Sequence, residues 1–120
     1  MSRILIVEDS AANRALLSAA LQLEGYEILT AADGWLGVEL AQCERPDLIL
    51  MDVLLSGLNE FEAARRLKAH HDTRHIPIIA ISAQATLAER EQALDAGCDG
   101  YLAGPIDICA LPQQIRLFLP

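Results

Sequence analysis

The sequence predicts an α/β protein of the (βα)5 type, in which helices cover both faces of a doubly wound, parallel, five-stranded sheet. Five short apolar runs alternate along the chain with longer segments whose apolar residues recur at helical spacing. Hydrophobic residues make up 52% of the chain and aromatic residues only 4%, an aliphatic composition that suits strands buried on both faces. Successive β–α units of this length require parallel strands joined by right-handed crossovers. The 120 residues are enough for one domain, which we predict to span 1–120.

Local signals mark where the first elements begin and end. Gly25 is placed to end the first helix. The segment "YEILTA" alternates apolar and polar residues, which favours an edge strand. A turn at Asp33-Gly34 opens the second helix, in which Gly37 costs about 1 kcal/mol relative to alanine. The predicted strands cover about 3–7, 26–31, 47–51, 76–81 and 100–103, and the predicted helices cover about 11–24, 35–43, 59–69, 86–97 and 107–119.

The later helices carry capping signals at their amino ends. The third and fourth helices open on capping-box patterns, Asn59 with Glu62 and Thr86 with Glu89. Asp107 resembles an N-cap of the last helix, but Pro112 would then remove a donor from the helix interior. We therefore expect this helix to begin one to three residues after Asp107.

Charge and composition exclude several classes of protein. A net charge of -8 argues against direct binding to nucleic acid, which needs a basic face, and against binding to anionic membranes. The sequence has no apolar run of membrane-spanning length, and "MSRILIVEDS" turns acidic too early for a signal peptide. Cys43, Cys98 and Cys109 are odd in number and widely spaced. We interpret them as buried or half-buried thiols of a cytoplasmic protein.

Acidic residues follow two of the predicted strands at the point where each strand ends. Glu8 and Asp9 follow the first strand and Asp52 follows the third, while Ser82 and Gly104 follow the fourth and fifth. Carboxyl ends of parallel strands meet at one edge of a sheet, so these residues should share one cleft. Three carboxylates so close together need raised pKa values or a bound cation. Oxygen ligands of this kind suit Mg²⁺ or Ca²⁺.

With these residues in place, the chain resembles the receiver domain of two-component response regulators over its whole length. The resemblance lies in four successive blocks, "ILIVEDS", "PDLILMDV", "HIPIIAISA" and "AGCDGYLAGPID". Each block alone is weak, but the combination is highly specific. The resemblance implies a flavodoxin-like fold with strand order 2-1-3-4-5.

The resemblance also implies a role for each residue of the cleft. Asp52 would be the phosphoacceptor, attacking a phosphohistidine on a sensor histidine kinase or a histidine phosphotransfer protein. Glu8, Asp9, Asp52 and the backbone carbonyl of Leu54 would hold Mg²⁺. Such an ion lets a weak carboxylate nucleophile meet an anionic phosphoryl group.

Two further residues would carry the signal onward. Ser82 would hydrogen-bond a phosphoryl oxygen, and Tyr101 would be the switch aromatic that changes rotamer with it. The output would be contact with a downstream protein. Homodimerisation would use helix 4, strand 5 and helix 5, or helices 1 and 5. The domain would not be an enzyme beyond catalysing its own phosphorylation and dephosphorylation.

The chain departs from the family pattern around the same cleft. Gly104 stands where the family has a lysine that balances the acidic cluster, and the nearest basic candidate is Arg14. Ser56 stands in place of a usual proline, and Glu60 in place of a usual glycine. We expect a bound cation to carry more of the charge balance, and phosphorylation to be transmitted weakly to the output face.

Two other functions are alternatives to accepting a phosphoryl group on Asp52. The departures favour a degenerate receiver that binds a partner protein regardless of phosphorylation. A flavin-binding domain or an aspartate-dependent phosphatase is disfavoured. The loop "VEDS" would repel a phosphate, and "DVL" lacks the D-x-D pattern of such phosphatases.

Overall fold

The computed structural model describes residues 2–52, 58–82, 86–103 and 107–119, within which strands and helices alternate. The strands are β1 (Arg3–Val7), β2 (Glu27–Ala31), β3 (Leu48–Asp52), β4 (Ile78–Ser82) and β5 (Gly100–Ala103). The helices are α1 (Ala11–Gln22), α2 (Gly34–Glu44), α3 (Leu58–Ala69), α4 (Leu87–Asp95) and α5 (Leu111–Arg116).

The five strands form one parallel sheet in the order β2-β1-β3-β4-β5, as expected for a doubly wound fold. The predicted edge position of β2 is confirmed. Val7 of β1 pairs with Met51 of β3, and Ser82 of β4 pairs with Ala103 of β5. This register places the carboxyl ends of β1, β3 and β4 at the same edge of the sheet.

Alternate strand residues enter two separate cores, one on each face of the sheet. Leu5, Ile49 and Ile78 pack with α2, α3 and α4 on one face. Ile4 and Leu50 face the opposite side, with α1 and α5. Side chains of consecutive strand residues point to opposite faces, so unbroken apolar runs are what a sheet covered on both sides requires.

Helix ends agree with the sequence signals in some places and differ in others. Thr86 caps α4, with its Oγ1 accepting from the N–H of Glu89 over 3.1 Å. Asn59 is not an N-cap, because α3 already begins at Leu58. The last helix begins later than predicted, since Asp107 instead accepts the main-chain N–H groups of a preceding turn. Pro112 then falls in the first turn of α5, where it removes no helical hydrogen bond.

Two glycines permit close approaches between elements. A Cβ on Gly37 of α2 would lie 2.8 Å from Cγ2 of Val7, so the missing side chain lets α2 lie directly against β1. A Cβ on Gly100 of β5 would lie 2.8 Å from the ring of Phe118. Position 37 is therefore glycine for packing, despite its cost in helix propensity.

The cysteines differ from expectation. Cys98 is buried, but Cys43 and Cys109 are exposed, so the prediction of buried or half-buried thiols is wrong for both. They lie on solvent-facing positions of α2 and of the turn before α5. Among the described residues, no helix combines the length and apolar character needed to span a bilayer.

Candidate metal centre

Three carboxyl groups from two strands converge at the carboxyl edge of the sheet. Glu8 and Asp9 follow β1 directly, and Asp52 is the last residue of β3. One oxygen from each side chain lies within 4.8 Å of an oxygen of the other two. The predicted convergence of these residues is confirmed, because the central strands β1 and β3 are adjacent and in register.

The group is partly withdrawn from water. Glu8 is only 2% exposed, and its Oε2 atom is buried without a hydrogen-bond partner among the described residues. Unpaired charges at this spacing repel by about 3–4 kcal/mol per pair at an effective dielectric of about 20. The cluster therefore needs either a proton or a cation.

The carboxyl group of Asp52 shows the consequence in the metal-free protein. Its pKa rises from 3.8 to about 8, first because the group is buried. A hydrogen bond with the Glu8 carboxyl and the negative charges of Glu8, Asp9 and Glu60 raise it further. Asp52 therefore holds a proton near neutral pH when no cation is present.

Arg14 is the basic side chain that approaches this cluster. Its Nη1 atom donates to the main-chain carbonyl of Glu8 over 2.8 Å and to that of Asp9 over 3.1 Å. Among the described residues, Arg14 forms no ion pair with any of the three carboxylates. Arg14 thus holds the main chain that carries two of the acidic residues.

Glu60 proves to be part of the same acidic environment. It lies in the first turn of α3, is 6% exposed, and has an Oε2 atom buried without a partner in the described regions. Burial raises its pKa most, a hydrogen bond from its own main chain acts in the opposite direction, and the charges of Asp9, Asp33 and Glu8 raise the pKa further. The sequence indicated an added charge here, but its burial depends on how α3 packs and could not be read from the residue order.

Ser82 and Tyr101 are hydrogen-bonded to one another beside the cluster. Ser82 ends β4 and is 2% exposed, and Tyr101 is half-buried on β5. The Tyr101 hydroxyl also donates to Oε1 of Glu89 on α4 over 3.3 Å. Burial raises the pKa of Tyr101, while the hydrogen bond with Ser82 acts in the opposite direction. The two residues predicted to form a switch are therefore in contact, and Tyr101 also contacts Glu89, which the sequence did not indicate.

Three predicted positions lie outside the described residues: Leu54, Ser56 and Gly104.

The donor set that is described fits a hard divalent cation. It consists of carboxylate oxygens alone, in reach of one another, with one buried oxygen lacking a partner. Glu8, Asp9 and Asp52 could hold such an ion together.

Fold and site together define a doubly wound α/β domain with an acidic centre at the carboxyl ends of its strands. Residues 4–116 match the model of the response regulator receiver domain, and the chain belongs to that family. The predictions of family, fold class and strand order are confirmed.

Several curated relatives carry the same domain. The response regulator PleD of Caulobacter vibrioides is 41% identical over 115 residues, which are 96% of this chain and 25% of PleD. The protein PilH of Pseudomonas aeruginosa is 38% identical over 99% of this chain and 98% of its own length. The polar-differentiation response regulator DivK of Brucella anthropi is 34% identical over 97% of this chain and 94% of its own. The chain thus spans a quarter of PleD but nearly all of the other two.

Solved structures agree with this assignment. The receiver domain of the sensor histidine kinase PA1611 from Pseudomonas aeruginosa has a TM-score of 0.88 and 37% identity, covering 98% of this chain and 96% of that one. That structure contains a magnesium ion coordinated in its active site cleft. The chemotaxis protein CheY4 of Vibrio cholerae has a TM-score of 0.91 and 28% identity, covering 99% of both chains.

Proposed function

We propose that this chain is a phosphoacceptor receiver domain that takes a phosphoryl group onto Asp52. The donor would be a phosphohistidine on a sensor histidine kinase or a histidine phosphotransfer protein. Mg²⁺ would be held by Glu8, Asp9, Asp52 and the backbone carbonyl of Leu54. The observation that supports this most is the convergence of three carboxyl oxygens within 4.8 Å at the carboxyl edge of the sheet.

The chemistry requires Asp52 as a carboxylate. An oxygen of Asp52 forms a bond to phosphorus while the bond from phosphorus to the histidine nitrogen breaks, and the imidazole leaves with the electron pair. A bound divalent cation would neutralise the cluster and screen the incoming anionic group. Glu8 and Asp9 would orient that cation, and Arg14 would hold their main chain in place through its two hydrogen bonds.

The signal would leave the site through Ser82 and Tyr101. A phosphoryl oxygen would accept from the Ser82 hydroxyl, which now bonds Tyr101. Tyr101 would then rearrange against Glu89 and alter the surface formed by α4, β5 and α5. A downstream protein, or a second copy of the chain, would read that surface or the face of α1 and α5. The module would act in the cytoplasm, which three free cysteines also favour.

A second candidate function is binding to a partner protein independently of phosphorylation. Gly104 removes the family's lysine, and Glu60 adds a buried acid to the site. Both changes disfavour an aspartyl phosphate. They leave the fold and its surfaces available for protein contacts.

Intact-mass spectrometry after treatment with acetyl phosphate and Mg²⁺ tests the proposal. The wild type should gain one phosphoryl group, and Asp52→Asn should gain none. Omission of Mg²⁺ should abolish the modification. An unmodified wild type, with both proteins folded by circular dichroism, would instead support the degenerate receiver.

A further inference from the structure

Glu60 is a buried carboxyl group without an assigned role. It is 6% exposed, yet its Oε2 atom finds no hydrogen-bond partner in the part of the chain that is described. An ionised carboxylate in such a position is costly unless a cation compensates it. A glutamate that served only the amino end of α3 could stay partly in water and pair with a cation, as Glu62 does two residues later with Arg65 and Arg66.

The basic side chains of the described regions do not supply that compensation. Their ion pairs go to other acids: Arg66 pairs with Glu62 and lies over the ring of Trp35, and Lys68 pairs with Asp99. Arg14 donates to main-chain carbonyls. Glu60 belongs instead to the acidic environment of Asp9, Glu8 and Asp33.

We propose that Glu60 is a further acidic residue of the divalent cation site, and that it strengthens cation binding from the α3 side. This rests on the proposed function, since it assumes that Glu8, Asp9 and Asp52 hold the ion. Glu60 is not among the three carboxylates that meet within 4.8 Å. It therefore acts through the hydration shell, where its unpartnered oxygen accepts from a water bound to the ion. Mg²⁺ retains several waters in protein sites, so an acceptor of this kind has a partner.

Glu60 and the loss of the family's lysine act in the same direction, because both make the site more negative. Each buried acid added to the site raises the attraction for a dication and lowers the attraction for an anion. Glu60 thus shifts the site towards cation retention. The ligand class is therefore a hydrated divalent cation, for which Mg²⁺ and Mn²⁺ serve as probes.

Isothermal titration calorimetry with MgCl₂, and in parallel with MnCl₂, tests the inference on the full chain. Glu60→Gln keeps the shape of the side chain and removes its charge. Its Kd should rise about tenfold for both ions, as is usual for outer-shell partners. Glu62→Gln is the matched control, because it removes the same charge from a partly exposed position on the same helix, where Glu62 pairs with Arg65 and Arg66, and its Kd should stay within about twofold.

Several outcomes would overturn the inference. One is a Glu60→Gln Kd within twofold of the wild type, and another is an equal weakening in Glu62→Gln. If Glu60→Gln fails to fold in EDTA, Glu60→Gly removes both charge and side chain, and the same tenfold weakening is expected. Asp52→Asn distinguishes the cation site itself from the contribution of Glu60. If Asp52→Asn loses binding while Glu60→Gln binds like the wild type, the role of Glu60 is rejected and the cation site stands. A wild type that binds neither ion rejects the cation site and this inference together.

Discussion

The Nη1 atom of the Arg14 guanidinium lies 2.8 Å from the main-chain carbonyl oxygen of Glu8, in the segment that carries the acidic pair. A second hydrogen bond to Asp9 O makes it a brace between α1 and the end of β1. The family's lysine is a charge placed among the carboxylates, whereas Arg14 is directed at their backbone. It therefore orders the site rather than substituting for that lysine.

Replacement of Arg14 by methionine should destabilise the protein by about 1–3 kcal/mol, because two charge-assisted hydrogen bonds are lost. Urea denaturation in EDTA measures this. Arg65→Met is the control, since Arg65 makes only an exposed 3.7 Å contact with Glu62 and should cost less than about 0.5 kcal/mol. Equal stabilities of the two variants would show that the brace is not important.

Asp52 should make the metal-free protein less stable as the pH rises. Its pKa is raised from 3.8 to about 8 in the folded state, chiefly by burial. Between about pH 4 and pH 8 the folded protein keeps a proton that the unfolded chain releases. The free energy of unfolding therefore falls as the pH increases.

Asp52→Asn removes this titration, so in EDTA the variant should gain stability relative to the wild type from pH 4 to pH 8. Chemical denaturation at a series of pH values measures the difference. Saturating Mg²⁺ should stabilise the wild type at pH 8 and leave the variant nearly unchanged. A stability difference that does not vary with pH would contradict the assignment of the raised pKa to Asp52.

Gly37→Ala should destabilise the protein by about 1 kcal/mol, although alanine is the better helix former. The new methyl would lie 2.8 Å from Cγ2 of Val7, and a valine in a strand has little freedom to move away. Thermal or urea denaturation gives the value. In a Val7→Ala background the same change should become neutral or stabilising, because the obstructing methyl is gone. A stabilising effect in the wild-type background would show that α2 can shift away from β1 freely.

Gly104→Lys should strengthen transmission from the phosphorylation site. The lysine restores a cation that can pair with an aspartyl phosphate and reduces the repulsion among the acids. With acetyl phosphate and Mg²⁺, amide resonances of α4, β5 and α5 should shift further in the variant than in the wild type. The double variant Gly104→Lys/Asp52→Asn should show no such shifts. Equally full shifts in wild type and Gly104→Lys would reject the idea that Gly104 weakens the switch.

The sequence predicted the strands and the residues at their ends, which follow from hydrophobic periodicity. It did not predict the burial and contacts of side chains that depend on how helices pack against the sheet. Apolar runs located all five strands, because a sheet buried on both faces leaves no other place for them. The convergence of Glu8 with Asp52 followed from parallel topology alone. The prediction that Asn59 caps α3 was wrong, because α3 already includes Leu58. The burial of Glu60 and the contact between Tyr101 and Glu89 depend on how a helix tilts across the sheet, which no local pattern encodes.

The aromatic ring of Phe118 occupies the space that a methyl group on residue 100 would need. These two positions, distant along the chain, therefore form a single steric unit at the margin of the sheet. Any side chain at 100 demands a smaller neighbour at 118, and a smaller neighbour alone leaves a void. A larger residue at position 100 is tolerated well only with a smaller residue at 118, and a smaller residue at 118 only with a larger one at 100. The two positions must therefore be redesigned together.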